Sequence, residues 1–119
     1  MEAMELNGGR FYLRPLHDDD RIDDRPALSQ LSDTPDALVA AARAGWASES
    51  KFTWAVCEQT NVEMLALAVY ENCTITVTPV GDTQRILPND PVLPQKTVED
   101  AVIAGEKTVA RWVEGFLNQ

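Results

Sequence analysis

The chain has 119 residues and a formal net charge of −9, and 45% of its residues are hydrophobic. This composition predicts one soluble globular domain spanning residues 1–119 and argues against wholesale disorder. The acidic balance disfavours nucleic acid and anionic membrane surfaces as partners, because like charges repel.

The chain begins with a segment that carries little pattern. Asn7-Gly8-Gly9 is typical of a flexible lead-in, so residues 1–9 are predicted to be flexible. Residues 11–16 then predict a first strand. We expect this strand at an edge of the sheet, because Pro15 has no backbone N–H to donate to a neighbouring strand.

Residues 17–25 form the densest charge cluster of the sequence. Their spacing does not match a calcium-binding EF-hand loop, and His17 beside the acids is interpreted as a surface residue, not a catalytic base. The favoured interpretation is a solvated loop that caps the next helix, and binding of a cation or a protein is the alternative. The candidate partner-binding residues of this loop are Asp18, Asp19, Asp20, Asp23 and Asp24.

Two helices are predicted after this loop. The Asp24 carboxylate is predicted to cap a short first helix, which runs to about Leu31 and buries Leu28 and Leu31. Thr34 and Pro35 predict the start of a second helix, and Gly45 with the Ala47-Ser48-Glu49-Ser50 stretch marks its end. Its predicted apolar face consists of Leu38, Ala41, Ala42, Gly45 and Trp46.

Three apolar runs of strand length follow, at residues 52–57, 64–70 and 73–78. Short connectors predict an antiparallel meander, and the middle run is apolar on both faces, which predicts the central strand. Cys57 and Cys73 lie within the outer runs and are predicted to be buried free thiols. The third run, rich in threonine, is a candidate edge strand, which would also allow a homodimer.

Residues 79–96 contain four prolines and Gly81, which predicts an extended connector without regular structure. A connector of this length in so small a domain either wraps across the sheet or has a function of its own. It carries four large apolar side chains that are further candidates for binding a partner: Ile86, Leu87, Val92 and Leu93.

The last predicted element is a long helix. Thr97 and Asp100 have the spacing of a capping box, and apolar residues then recur at helical spacing. The stripe consists of Val98, Val102, Gly105, Val109, Trp112 and Phe116, widened by Ala101, Val113 and Leu117. The predicted fold class is α+β, with an antiparallel meander sheet of about four strands, two N-terminal helices and a long C-terminal helix packed on the sheet.

From Arg10 to about Pro79, the order of elements resembles the first half of the N-acetyltransferases of the GNAT superfamily. The resemblance rests on Phe11-Tyr12-Leu13-Arg14-Pro15-Leu16 followed by acids, on two short helices, and on Trp54-Ala55-Val56 with the meander. In that family, a Gly-rich turn after the fourth strand holds the pyrophosphate of acyl-CoA at a helix N-terminus. Residues 79–88 lack those glycines, so the resemblance implies a shortened, non-acetylating relative with no catalytic or cofactor residue carried over.

The sequence contains no Gly-rich phosphate loop and no spacing typical of a catalytic triad or a zinc site. We therefore predict a non-catalytic domain that binds another protein, with a basic partner surface as the complement to its charge. The alternative is a GNAT-like relative or remnant that binds acyl-CoA through residues 81–85. No metal, cofactor, nucleic acid or membrane partner is predicted, and the absence of a signal peptide and of a membrane-spanning run predicts a cytoplasmic protein.

Overall fold

The computed structural model describes residues 1–88 and 92–117. It has an α+β fold in which five antiparallel strands form one meander sheet, in the order β1-β2-β3-β4-β5. The strands are β1 Leu6–Gly8, β2 Phe11–Arg14, β3 Lys51–Glu58, β4 Ala66–Glu71 and β5 Thr74–Pro79. The helices are α1 Arg25–Leu28, α2 Pro35–Ser48 and α3 Val98–Trp112, and a π-helical turn, Val113–Leu117, continues α3. The predicted fold class is confirmed, with five strands in place of about four.

The additional strand is β1, which pairs with β2 at the N-terminus. Met1, Met4 and Leu6 pack against the core, within the segment of residues 1–9 where the sequence predicted a flexible lead-in. Because β1 covers its outer side, β2 is an inner strand and not the predicted edge. Pro15 lies just beyond the end of β2, where its missing N–H removes no bond from the sheet.

The central strand of the sheet is β3, and the run predicted to be central forms β4 beside it. Alternate side chains of a strand point to opposite faces, and β3 follows this rule. Trp54 and Val56 belong to the cluster that α3 covers, whereas Ala55 and Cys57 belong to a second cluster with α1 and α2. The sheet is therefore covered on both faces, which explains why β3 is apolar along nearly its whole length.

The cluster under α3 is rich in aromatic rings. Trp112 lies 5.2 Å from Trp54 and 5.9 Å from Trp46 between ring centroids, in edge-to-face arrangements. The predicted capping box is present, and the predicted stripe is buried at Val98, Gly105, Val109 and Trp112. Phe116 does not follow the stripe and remains 44% exposed, because the wider π-helical turn shifts it from 3.6-residue periodicity.

The second cluster corrects several details of the predicted helices. α1 ends at Leu28, and α2 buries Val39 where Leu38 was expected. α2 ends at Ser48, within the Ala47-Ser48-Glu49-Ser50 stretch that was predicted to mark its end, and Gly45 lies inside the helix. A Cβ at Gly45 would lie 2.5 Å from the Lys51 carbonyl oxygen, so the glycine permits the close approach of α2 to β3.

The β4–β5 connection is a two-residue hairpin turn. Asn72 and Cys73 both have positive φ angles, 53° and 60°, as a type I′ turn requires. Cys73 therefore lies in the turn and is exposed, which corrects its predicted burial, whereas Cys57 is buried as predicted. β5 is the last strand in the sheet, as the predicted edge, and its threonines Thr74, Thr76 and Thr78 are exposed.

Candidate functional site

Asp24 is not a surface residue, although the sequence placed it among the candidate partner-binding acids. Its carboxylate accepts two hydrogen bonds from the Arg14 guanidinium, both at 2.8 Å, and one from the His17 backbone N–H at 2.8 Å. Arg14 and Asp24 are only 1% and 3% exposed. The expected side-chain cap on α1 is absent, because this carboxylate neutralises a buried guanidinium instead.

The remaining acids of the loop are mostly engaged within the chain. Asp18 pairs with Arg43 at 2.6 Å, and Asp23 pairs with Arg25 at 2.9 Å. Backbone N–H groups of residues 21 and 22 lower the pKa of Asp19. Much of the negative charge expected to attract a basic partner is thus compensated by nearby groups of the same chain. Among the described residues, no group of three or more His, Cys, Asp or Glu side chains is arranged to hold a metal ion.

Of the four candidate partner-binding residues in the connector, one is buried and three are exposed. Leu87 is only 1% exposed and its N–H donates to the Lys96 carbonyl oxygen at 2.8 Å, so its side chain is not presented on the surface as the sequence suggested. Its side chain completes the cluster under α3. Ile86, Val92 and Leu93 are exposed. Pro91, part of the same predicted connector, lies outside the described residues.

The degenerate phosphate turn of the acyl-CoA alternative was expected at residues 81–85, and the structure brings part of this segment against the start of α3. The N–H of Val98 donates to the Arg85 carbonyl oxygen at 3.1 Å, and that of Glu99 donates to the Thr83 carbonyl oxygen at 2.9 Å. The N–H of Asp100 donates to the Thr97 hydroxyl within the capping box. The carbonyl oxygens of Thr83 and Arg85 therefore already accept hydrogen bonds from the backbone N–H groups that a pyrophosphate would need at this helix N-terminus.

Cys57 lies beside the buried ion pair, and its environment sets its chemistry. Burial raises the pKa of the Cys57 thiol from 9.0 to about 11, although the nearby Arg14 charge opposes this rise. Burial alone would lower the pKa of Arg14, but its hydrogen bonds to Asp24 raise it above the ordinary value. This cluster therefore holds a neutral thiol next to a permanent ion pair, which suits a structural role.

The two thiols are expected to differ sharply in reactivity. Cys73 should react with DTNB in the folded protein near neutral pH, whereas Cys57 should react only after unfolding in guanidinium. The raised pKa also means that the neutral Cys57 thiol stabilises the fold relative to the unfolded chain up to about pH 9, and that this contribution is lost as the pH rises toward 11. Counting DTNB-reactive thiols before and after unfolding tests the predicted difference in reactivity between Cys73 and Cys57. A Cys73→Ser variant should show no fast-reacting thiol, and two fast thiols in the folded wild type would contradict the prediction.

A concavity with a volume of about 610 Å³ lies between the β1–β2 hairpin and α3. Phe11 and Ala104 contribute apolar surface to its wall, and Ile103 adds a side chain that is 43% exposed. Four cationic residues also line it: Arg10, Lys96, Lys107 and Arg111. We call this concavity, which Asp100 also lines, the cationic groove.

The charge of the cationic groove is unusual for this protein. The sequence has ten lysines and arginines against nineteen acids, and four of the ten line this one groove. None of the four forms an ion pair with another described residue. The acid that lines the groove, Asp100, accepts hydrogen bonds from the N–H and hydroxyl of Thr97. The groove therefore offers several uncompensated positive charges around an apolar wall.

A second concavity of about 390 Å³ adjoins the cationic groove at Arg10. It is lined in part by Pro88 and Leu93 of the connector and by Gln59 after β3. The Arg10 guanidinium donates to the Pro94 carbonyl oxygen at 2.6 Å and so ties the connector to the groove. Leu93, a predicted partner-binding residue, thereby lines the same concavity as Arg10.

One wall of the cationic groove could have been predicted from the sequence. Ile103, Lys107 and Arg111 recur every four residues, which places them on one side of α3 next to its buried stripe. The opposite wall could not be predicted in the same way, because it is built from β1 and the turn that follows.

Comparison of the chain with protein-family models, with curated proteins and with solved structures finds no match. Within the part of the chain that the structure describes, no helix combines the length and the apolar character needed to cross a bilayer.

Proposed function

We propose that this protein is a non-catalytic binding domain that holds an acidic segment of another protein in the cationic groove. The proposal rests on four cationic side chains, unpaired among the described residues, around an apolar wall in a chain of net charge −9. Carboxylates of a partner would pair with Lys107 and Arg111, and an apolar partner side chain would contact Ile103. This arrangement favours an acidic partner segment over the basic surface expected from net charge alone.

The excess negative charge of the rest of the protein does not cancel this local attraction. The acidic loop packs with α1 and α2 on one face of the sheet, whereas the cationic groove lies on the face that α3 covers. At physiological ionic strength, interactions between exposed charges are screened beyond about 8 Å. The charges adjacent to a bound segment therefore decide its affinity, while the distant acids chiefly slow long-range association.

A direct test uses synthetic peptides labelled with fluorescein and measured by fluorescence polarisation. Peptides of glutamate and aspartate interspersed with leucine and phenylalanine are expected to bind, and matched peptides with lysine in place of the acids are not. The Lys107→Glu variant should weaken binding of the acidic peptides about tenfold, equivalent to about 1.4 kcal/mol. Binding should also weaken as salt is raised, because the groove charges are exposed.

The matched control is Arg21→Glu, which makes the same change in charge at an exposed position of the acidic loop. It should leave the affinity for acidic peptides nearly unchanged, because Arg21 belongs to the loop on the other face of the sheet. Equal weakening by the two variants would show that only net charge matters, and preferential binding of the lysine peptides would overturn the proposal. The Lys107→Glu variant is also the proper control bait when a partner is sought in lysate.

Acyl-CoA is the alternative occupant, because the cations of the groove also suit phosphate groups. This alternative is tested by titrating the protein with acetyl-CoA and measuring its melting temperature at each concentration. A melting temperature raised by acetyl-CoA, together with no binding of acidic peptides, would replace the protein-binding proposal with a GNAT-like or remnant acyl-CoA-binding function.

A further inference from the structure

The outer side of β5 is an open strand edge. β4 pairs with one side of β5, and among residues 1–88 and 92–117 no strand pairs with the other. Glu71 and Thr74 close the two-residue hairpin, and the Val80 N–H donates to the Leu65 carbonyl oxygen at 2.9 Å. Because bonded and non-bonded pairs alternate in an antiparallel ladder, these two pairs fix which residues bond to β4.

The hydrogen-bonding groups on the open edge follow from this alternation. Thr74, Thr76 and Thr78 direct their backbone groups toward β4. Ile75 and Val77 consequently direct both their N–H and their C=O outward, and Pro79 directs only a C=O. The strand contains no charged residue, so Pro79 at its end is the one sequence feature that blunts this edge.

We propose that β5 pairs with β5 of a second copy of this chain, antiparallel about a two-fold axis at Thr76. In this register, Ile75 of each copy exchanges both backbone hydrogen bonds with Val77 of the other. The side chains match as well, because Ile75 lies opposite Val77 on the face that α3 covers. On the other face, Thr76 lies opposite Thr76 and Thr74 lies opposite Thr78, so every cross-strand pair is apolar with apolar or threonine with threonine.

The outward groups of β5 select this register over its neighbours. A two-fold axis at Val77 would set Ile75 opposite Pro79, which has no N–H to give. An axis at Ile75 would require Cys73 to join the ladder, but Cys73 has a φ of 60° and belongs to the turn. The self-complementarity of the strand is the reason for choosing a second copy as the occupant, since a two-fold interface needs a surface that matches itself.

Cysteine cross-linking tests the register directly, in a Cys73→Ser background. Residues directly opposite in a ladder have Cβ atoms about 4.5–5.5 Å apart, close to the spacing that a disulfide can bridge. The Thr76→Cys variant should therefore form a covalent dimer with copper phenanthroline as oxidant. The Thr78→Cys variant should remain largely monomeric on a non-reducing gel, whereas an equal mixture of the Thr74→Cys and Thr78→Cys variants should cross-link. Equal cross-linking of the Thr76→Cys and Thr78→Cys variants would overturn the register.

Charge substitution at the axis tests the association itself by analytical ultracentrifugation. The Thr76→Lys and Thr76→Glu variants should each shift the wild-type dimer to monomer, with Kd raised at least about tenfold, because like charges directly opposite repel. An equal mixture of the two variants should restore the dimer. Thr76 is exposed, so both variants should remain folded and unfold cooperatively as monomers. A wild type that stays monomeric at high micromolar concentration would overturn the proposal. The Lys107→Glu variant should still dimerise, which separates this test from that of the cationic groove.

Discussion

Replacing Asp24 with alanine is expected to lower the free energy of unfolding by about 3–5 kcal/mol. The substitution leaves the Arg14 guanidinium 1% exposed and without the carboxylate that now accepts two of its hydrogen bonds. The Arg14 Nε–H already lacks a partner among the described residues, so the side chain has little remaining compensation. The carbonyl oxygens of Pro15 and Val62 would remain as acceptors, but they carry no full charge.

Urea denaturation followed by circular dichroism measures this loss. The control is Asp20→Ala, which removes an exposed acid from the same loop and should change stability by less than about 0.5 kcal/mol. The double variant Arg14→Met with Asp24→Leu should recover most of the stability, because it removes both charges instead of leaving one buried. A loss for Asp24→Ala no larger than that for Asp20→Ala would show that the ion pair is not buried as described.

Replacing Trp112 with alanine is expected to cost a similar amount, about 3–5 kcal/mol. The Trp112 ring contacts Trp54 and Phe52, each at 5.2 Å between centroids, and stacks on Phe116 at 5.6 Å. Its removal would leave a cavity between α3 and the sheet that these rings cannot fill without moving. The loss would show that α3 is an integral part of the fold.

The conservative substitution at this position separates packing from hydrogen bonding. The buried Nε1–H of Trp112 has no hydrogen-bond partner among the described residues, so Trp112→Phe also removes an unsatisfied donor. The Nε1–H of Trp54, in contrast, donates to the Met4 carbonyl oxygen at 2.9 Å. Trp112→Phe should therefore destabilise the protein less than Trp54→Phe does, as measured by urea denaturation followed by circular dichroism. The reverse order would contradict the assignment of these two indoles.

The sequence predicted best what local rules decide. The start of α3 needs only the Thr97 and Asp100 side chains, three residues apart, and its stripe needs only regular spacing. The meander from β3 to β5 was predictable for the same reason, since short connectors leave neighbouring strands few ways to pair.

The sequence predicted least where distant residues override a local preference. Asp24 has the right position for a helix cap, yet Arg14 takes its carboxylate, because an uncompensated buried guanidinium costs more than a missing cap. β1 has only three residues and one of them is Gly8, so nothing in its composition predicts a strand. β1 forms because the edge of β2 is free to pair with it and because α3 packs over it. The sequence did not predict the cationic groove, because β1 forms part of its wall.

The close contact between β1 and α3 also bears on how the protein folds. A Cβ at Gly8 would lie 2.6 Å from the Thr108 hydroxyl oxygen, so segments from opposite ends of the described chain meet there. Bringing them together closes a very long loop, and that entropic cost delays such contacts relative to the hairpins. We therefore expect the cationic groove, whose two walls are these segments, to form after the hairpins, so that a partner would bind the folded chain and not an earlier intermediate.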